Sequence, residues 1–490
     1  MRRRLQLRWL VVVVPGIGGS ILRADDGTVL WDGSVGCAVK RLFNAHDLRL
    51  CDGVPDDGVR AVGVIPTTAV GPFWTAIHGY DRLVRGIRAN FDAGGGDVAV
   101  DWGDPARRDL LADVVMVPYD FRRSVSIAAA HLAEEVEMRQ AARRAAGRPT
   151  AAVVVAHSMG GLVAMHWIAH LGGHERCQRL ITLGTPFRGA PKALDVLANG
   201  IDAKLCRLTG PVPVLATWPS MHELLPRWRM VEGQGPGENT LIWPHEQKIV
   251  GVDANLGDAA LESLESTDAA WRRLADAGSL PSVRALLGYG HRTLQGAFAD
   301  GGGKVRVVNE RPEALDFSDL DGDGTVPWSS AAPAGMELAD AFAVGTRHGA
   351  FASGADAVLE LRLLAQPDFE GDRGGDDGAP MLGVAVDEVV VGPAPVSVRA
   401  ELRVDRHVVA PEPGLLGRVW HRRVQDGPAG GTGPWEVVPM KLTDGGWEAE
   451  LASLAPGLHE IEVAVTGASY RSPDPVRELV LVLDPRTVSP

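Results

Sequence analysis

The sequence predicts an α/β unit organised on a mostly parallel sheet, followed by a separate, smaller antiparallel β unit. Three observations predict it. Over the first part of the chain, apolar runs of strand length alternate with Ala/Leu/Arg stretches of helical period, the pattern of a parallel sheet covered by helices. Residues 367–380, QPDFEGDRGGDDGA, are acidic and glycine-rich with almost no apolar content, so they read as a linker that buries too little surface to fold alone. From 381 onward the chain turns to short alternating runs punctuated by Pro, Gly and Asp. A length of 490 residues also exceeds what one core usually organises, so the expected division is 1–366, 367–380 and 381–490.

In chain order, WLVVVV (9–14), ADVVMV (112–117), TAAVVVA (150–156), RLITL (179–183) and KVRVV (304–308) are the expected buried strands. Helices are expected at 73–90, 124–146, 160–171 and 352–364; Thr75 and Ser124 lie near plausible starts, and Gly147 stops the second. Between about 197 and 300 the strand signals fade in favour of Trp, Pro and Leu, with helical stretches near 257–289. That segment is expected as a helical lid inserted between two strands. In the last unit the runs 396–404, 435–442, 447–454, 459–467 and 477–484 predict an antiparallel β-sandwich of immunoglobulin-like type. Its Trp435 and Trp447 are either exposed platforms or core.

Composition narrows the class. Glycine (59) and proline (33) exceed average usage without a triplet period, which excludes collagen-like and wholly disordered chains. Lys+Arg 49 against Asp+Glu 62 leaves a formal charge of -13, which argues against a non-specific grip on nucleic acid and limits expected membrane contact to the periphery. The start, MRRRLQLRWLVVVVPGIGGS, imitates an export signal. Its apolar run is too short for a span and meets Pro15 and Gly16 without a small-residue cleavage site, so it reads as a buried first strand. Export through a misread N-terminus is the alternative. Cys37, Cys51, Cys177 and Cys206 are scattered, matching neither a disulfide framework nor a zinc site; a reducing, cytoplasmic home is the simplest expectation, with a Cys37–Cys51 bridge geometrically open.

The chemistry is concentrated in VVVAHSMGGL, 153–162, where an apolar strand runs through His157, Ser158, Met159, Gly160 and Gly161 into a helix. A nucleophile elbow needs this arrangement, because a strained strand-to-helix turn lifts one serine hydroxyl above the sheet and small flanking residues let it close. Ala156 replaces the usual first glycine by one methyl group. His157 is not the expected base, since adjacent residues at a sharp turn point different ways; it is expected to pack or hydrogen-bond beneath the elbow.

A serine hydroxyl needs a base, and the oxyanion it creates needs backbone donors. One donor is the N–H of Met159, at the start of the helix. The second is expected from Ile17, in the glycine-rich loop V14-P-G-I-G-G-S20. That loop lacks both the Lys-Ser/Thr pair of a P-loop and the GxGxxG spacing of a phosphate cradle. For the acid, FSDLDGDGTVPWSS (317–330) offers Asp323 on a turn. Asp319, Asp321 and Asp323 with Gly324 imitate the start of a calcium loop, but Ser330 stands where a bidentate glutamate belongs. No metal or cofactor is expected. His348, between an apolar run and a helix, is the expected base. The order Ser158, Asp323, His348 is that of the α/β-hydrolase class, with Asp323 orienting the imidazole that accepts the Ser158 proton.

Together PGIGGS (15–20), VPYDFR (117–122), AHSMGGL (156–162), TLGTPFRG (182–189), PSMHELLP (219–226) and DGDGTV (321–326), followed by His348, resemble the lecithin:cholesterol acyltransferase family. The resemblance implies an α/β-hydrolase core, Ser158 as nucleophile, Asp323 as acid, His348 as base, an oxyanion loop at Gly16 and Ile17, and a lid within 197–300. It also implies that Tyr119, Asp120 and Arg122 form a structural element near the site. Members of that family move an acyl group from a phospholipid to a sterol, another lipid alcohol or water. The expected activity is therefore a serine esterase or lipase on lipid carboxylic esters, with O-acyl transfer to a lipid alcohol as the alternative. A hydrolase-like binding protein without turnover is the reading from another class, and the last unit is open to a protein, lipid-surface or carbohydrate partner.

Overall fold

Leu10–Val14 (β1) is buried at every position, and its alternate side chains feed two different cores. Leu10, Val12 and Val14 point into one layer, while Val11 and Val13 point into the other. A strand that is apolar on both faces can be satisfied only inside a sheet covered on both sides. Fully burying each such residue is worth about 1.5–3 kcal/mol over leaving it exposed. The run that imitates an export signal is thus an interior strand of the main sheet, between Ala152–His157 and Val114–Met116.

The computed structural model describes residues 4–43, 46–50, 56–70, 76–200, 202–203, 206–207, 213–232, 241–242, 244, 248–300, 302–309, 321–366, 380–404, 407–411, 414–424, 432–467 and 472–488. In chain order the other strands of the main sheet are Val100–Asp101 (β2), Val114–Met116 (β3), Ala152–His157 (β4), Cys177–Leu183 (β5), Ser282–Gly288 (β6) and Phe342–Val344 (β7). The seven-stranded sheet runs β7-β6-β5-β4-β1-β3-β2 and every pairing is parallel. Helices Asp81–Asn90 (α1) and Ala355–Ala365 (α5) cover one face through Leu83, Ile87 and Leu361. Val125–Ala145 (α2), Met159–His170 (α3) and Ala254–Asp276 (α4) cover the other through Leu132, Leu162 and Trp271.

Four expectations need correction. KVRVV does form a strand, Val305–Val308, but in a separate four-stranded sheet, antiparallel to Gly296–Ala299. Its exposed Arg306 and half-buried Val307 fit a one-sided sheet better than a parallel interior. The expected 197–300 lid is not one inserted element. Its second half supplies α4, which packs on α3, and β6, which lies between β5 and β7. Arg284 interrupts the apolar run of β6 and hides its strand character. The helix expected at 73–90 begins only at Asp81, after a short strand at Ala76–Ile77. The helix expected at 352–364 begins at Ala355, after a 3-10 turn at His348–Ser353. Residues 367–379 of the expected linker lie outside the described residues, as does Cys51 of the Cys37–Cys51 pairing.

Beyond it, two sheets share one core. One contains Met381–Val386, Val396–Val404, Gly446–Leu451 and Lys441–Thr443; the other contains Val389–Val391, Val476–Leu483, Gly457–Thr466, Leu416–Val424 and Glu436–Pro439. All pairings are antiparallel except that of Val389–Val391 with Val476–Leu483. Alternate residues Val396, Val398, Ala400 and Ile461, Val463, Val465 meet between the sheets around Trp447, which is buried. Trp435 is the exposed one, with the Arg422 guanidinium 4.2 Å above its ring. The run 435–442 breaks at Met440 and feeds both sheets.

Candidate active site

The parallel sheet brings the C-terminal ends of β1, β4, β5, β6 and β7 to one edge, and every sequence-predicted site residue is found there. At the end of β4, Ser158 has φ 53 and ψ -128, a conformation a non-glycine residue adopts at a cost of about 1–3 kcal/mol. The turn is held by the Ser158 N–H donating to Leu183 O (2.9 Å) and the Gly161 N–H donating to Ser158 O (2.9 Å). The flanking glycines are obligatory for packing. A Cβ on Gly160 would lie 2.4 Å from Val14 O, and one on Gly161 would lie 2.0 Å from Thr185 Oγ1.

Asp323 and His348 converge on that serine although they lie far away in sequence. Ser158 Oγ is 2.9 Å from His348 Nε2, and His348 Nδ1 is 2.7 Å from Asp323 Oδ2. The other Asp323 oxygen accepts the N–H groups of Thr325 (2.9 Å) and Val326 (2.7 Å), and the His348 N–H donates to Asp323 O (2.9 Å). An ionised carboxylate only accepts, so Nδ1 carries the proton and Nε2 is left to accept from the Ser158 hydroxyl. Asp323 also sits against the end of β6, where a Cβ on Gly288 would lie 2.2 Å from the Asp323 Cβ. The acid loop is held there by His291, which bridges to Gly322 by paired backbone bonds of 2.9 and 3.1 Å.

Two carboxylates of the calcium-like run are engaged by protein donors. Asp321 accepts from Arg403 Nη2 (2.6 Å) and from the Thr293 N–H (3.2 Å), and Asp323 is engaged as above; Asp319 lies outside the described residues.

The loop after β1 lies beside the elbow because β1 and β4 are parallel neighbours. A Cβ on Gly16 would lie 2.9 Å from the Ser158 Cβ, so the loop backbone touches the serine. Among the described residues, neither the Ile17 nor the Met159 amide meets a protein acceptor. Two tyrosines hold the loop. Tyr119 donates to Pro15 O (2.7 Å), and Tyr80 accepts the Gly16 N–H (3.0 Å). Tyr80 then meets His157 Nδ1 at 2.9 Å, and His157 Nε2 meets His348 O at 3.1 Å. With the Tyr80 hydroxyl donating to an unprotonated Nδ1, His157 donates from Nε2 to the carbonyl of the candidate base, so the residue beneath the elbow ties the loop to His348. Tyr80 was not legible in the sequence, since HGYDRL carries no motif.

The VPYDFR and PSMHELLP segments support each other. Arg122 is fully buried between Asp120 (2.7 Å) and Asp57 (2.8 Å), and Ser220 Oγ donates to Phe121 O (2.6 Å). Glu223 accepts the Val125 N–H (2.7 Å) at the start of α2, while burial pushes its carboxyl up to about 8.

Burial also holds His78, His157 and His291 neutral, each lowered to about 3. The folded state therefore refuses a proton that the unfolded state accepts once the pH falls below about 6.5. Their contribution to stability is present above the unfolded value and is lost as pH falls towards the folded one, by about 1 kcal/mol per pH unit for each histidine. Glu223 acts oppositely, since its raised folded value favours the fold most below about 4.5 and loses that effect as pH rises towards 8. Urea midpoints should accordingly drop steeply from pH 6.5 to pH 4.5, the histidines outweighing Glu223; a flat profile would contradict their buried neutral state.

Residues 107–267 match the model of the lecithin:cholesterol acyltransferase family, a stretch that holds Ser158 and the VPYDFR, TLGTPFRG and PSMHELLP segments. Among solved structures, the mature form of a Bacillus licheniformis lipase is 13% identical, covers 74% of this chain and 95% of its own, and gives a TM-score of 0.34. A Listeria innocua gene product is 11% identical over 76% of this chain and 96% of its own, with a TM-score of 0.26. A Legionella pneumophila phospholipase is 11% identical over 97% of this chain and 89% of its own, also at 0.26. No curated protein matches the chain by sequence.

Proposed function

We propose, taking the lecithin:cholesterol acyltransferase match over residues 107–267 as premise, that this protein cleaves lipid carboxylic esters through an acyl-Ser158 intermediate. The observation that carries the reading is the continuous hydrogen-bond chain from Ser158 Oγ through His348 to Asp323. Ser158 Oγ attacks the ester carbonyl while His348 Nε2 takes its proton, and Asp323 stabilises the imidazolium. The Ile17 and Met159 amides receive the oxyanion; their lack of protein acceptors and the contact of Gly16 with Ser158 support that role. Collapse of the tetrahedral species expels the alcohol, which leaves with the proton from His348. A second nucleophile, deprotonated by His348, then releases the acyl group.

Water as that nucleophile makes a lipase, and a lipid alcohol makes an O-acyltransferase. Hydrolysis is the leading reading, with transfer as the alternative. A binding protein without turnover is disfavoured, because the chain of bonds at Ser158 has no need to exist in one. A lid is proposed within 197–300 apart from α4 and β6, and the last unit is proposed as an immunoglobulin-like sandwich. The scattered cysteines favour a reducing, cytoplasmic home. Separately, no described helix is long and apolar enough to cross a membrane.

Incubation with a labelled phospholipid, with and without a long-chain alcohol, decides the acceptor. Free fatty acid in both reactions is the expected result. New ester as the main product in water would replace the lipase reading by transfer, and release of neither would overturn both.

A further inference from the structure

The residue before the candidate base faces the last unit. Arg347 is only 5% exposed, and its guanidinium touches three groups from beyond residue 380: Nη1 donates to Val384 O (2.6 Å), Nη2 lies 3.8 Å from Glu388, and Nε meets Glu478. The same guanidinium lies over the acid loop, since a Cβ on Gly324 would be 3.0 Å from Arg347 Nη2. It therefore sits behind both partners of the serine, one residue from His348 and against the residue that follows Asp323.

Two further contacts repeat the pattern. Arg403, on strand Val396–Val404, donates to Asp321 (2.6 Å), two residues before the acid. His291 accepts the Val384 N–H on Nδ1 (3.2 Å) and donates from Nε2 to Gly345 O (2.9 Å), while its backbone pairs with Gly322. One strand, Met381–Val386, is thus laced to the base segment through Arg347 and to the acid segment through His291. Burial pushes the Arg347 guanidinium down, and Glu388 and Asp323 oppose that shift. Burial raises the Glu388 carboxyl, and Lys192 and Arg347 more than offset it. A buried guanidinium beside a base is tolerable only with such carboxylate partners. Glu388 and Glu478 come from the last unit.

We infer that the C-terminal β unit is a working part of the acyl-transfer site, with Arg347 as a positioning residue that fixes His348 and Asp323 relative to each other. This rests on the acyl-serine reading for its kinetic consequence, whereas the geometry of the His348–Asp323 bond is read independently of it. The unit is accordingly needed on soluble short-chain esters as much as on lipid surfaces, which a docking role would not require.

The test compares Arg347→Met, Glu478→Gln and Arg403→Met with Glu460→Gln in the full-length chain. Glu460 pairs with Arg82 (2.9 Å) across the same two units but contacts none of the three site residues. Melting temperature establishes folding. Steady-state rates on a soluble ester and the low-field proton resonance of the His348–Asp323 bond read positioning. Expected are losses of about 10- to 100-fold in kcat with little change in KM, the scale of an ångström-sized displacement of a reacting group. The resonance should weaken in the same variants, while Glu460→Gln and Ser158→Ala retain it. Arg347→Lys should recover part of the loss. If Arg347→Met does not fold, Glu478→Gln and Arg403→Met carry the comparison. Folded variants with wild-type kcat and an intact resonance would overturn the inference, as would an equal loss in Glu460→Gln. Failure of the acyl-serine reading shows separately, as turnover persisting in Ser158→Ala.

Discussion

Replacing Ser158 with alanine should lower kcat on any ester by about 10⁵- to 10⁶-fold while leaving the protein folded. The size follows from what is lost. Ser158 Oγ is the group aligned with His348 Nε2, and alanine leaves the base with nothing to activate. The elbow itself stays, because its bonds run through the backbone of residue 158 and because Gly160 and Gly161 set the approach of α3 to β1. Melting temperature should therefore shift by only a few degrees. Initial rates on a soluble ester and on phospholipid vesicles check the claim, and hydrolysis retained by folded Ser158→Ala would remove the nucleophile from the account.

The second large effect is expected from Asp323→Asn, at about 10⁴-fold in kcat. One Asp323 oxygen is committed to the Thr325 and Val326 amides. An asparagine keeps its carbonyl there and turns its NH₂ group towards His348 Nδ1. The ring must then accept at Nδ1 and carry its proton on Nε2, facing the serine as a donor. The base is present in the wrong tautomer. KM should hardly move, since Asp323 is 1% exposed. A tenfold or smaller loss would mean that His348 is oriented by its backbone bonds alone.

The contrast between what the sequence displays and what it hides has physical causes. The central strands were legible because Leu10–Val14 and Ala152–His157 are buried on both faces and so read as unbroken apolar runs. Ser158 was legible because an elbow imposes small residues at fixed offsets around it. The edge of the sheet was not: Val100–Asp101 is two residues long, Phe342–Val344 is only partly buried, and Arg284 breaks the run of Ser282–Gly288. Asp323 is legible by chain order and turn chemistry, but the strand that supports it is not, because Gly296–Ala299 and Val305–Val308, which precede the acid loop in the chain, belong to another sheet while the loop itself lies against Gly288 at the end of β6. Tyr80 and Arg347 act through isolated long-range contacts, two for Tyr80, to Gly16 and His157, and three for Arg347, to Val384, Glu388 and Glu478. Such contacts leave no periodicity, and only the assembled chain reveals them.

The most direct measurement is the site of covalent capture. The folded wild-type protein is treated with a fluorophosphonate, digested and mapped by peptide mass, with and without a competing ester. One adduct is expected, on the peptide containing Ser158, formed more slowly when the ester is present. An ester-cleaving protein that takes up no adduct, or takes it up on another residue, would contradict Ser158 as the nucleophile.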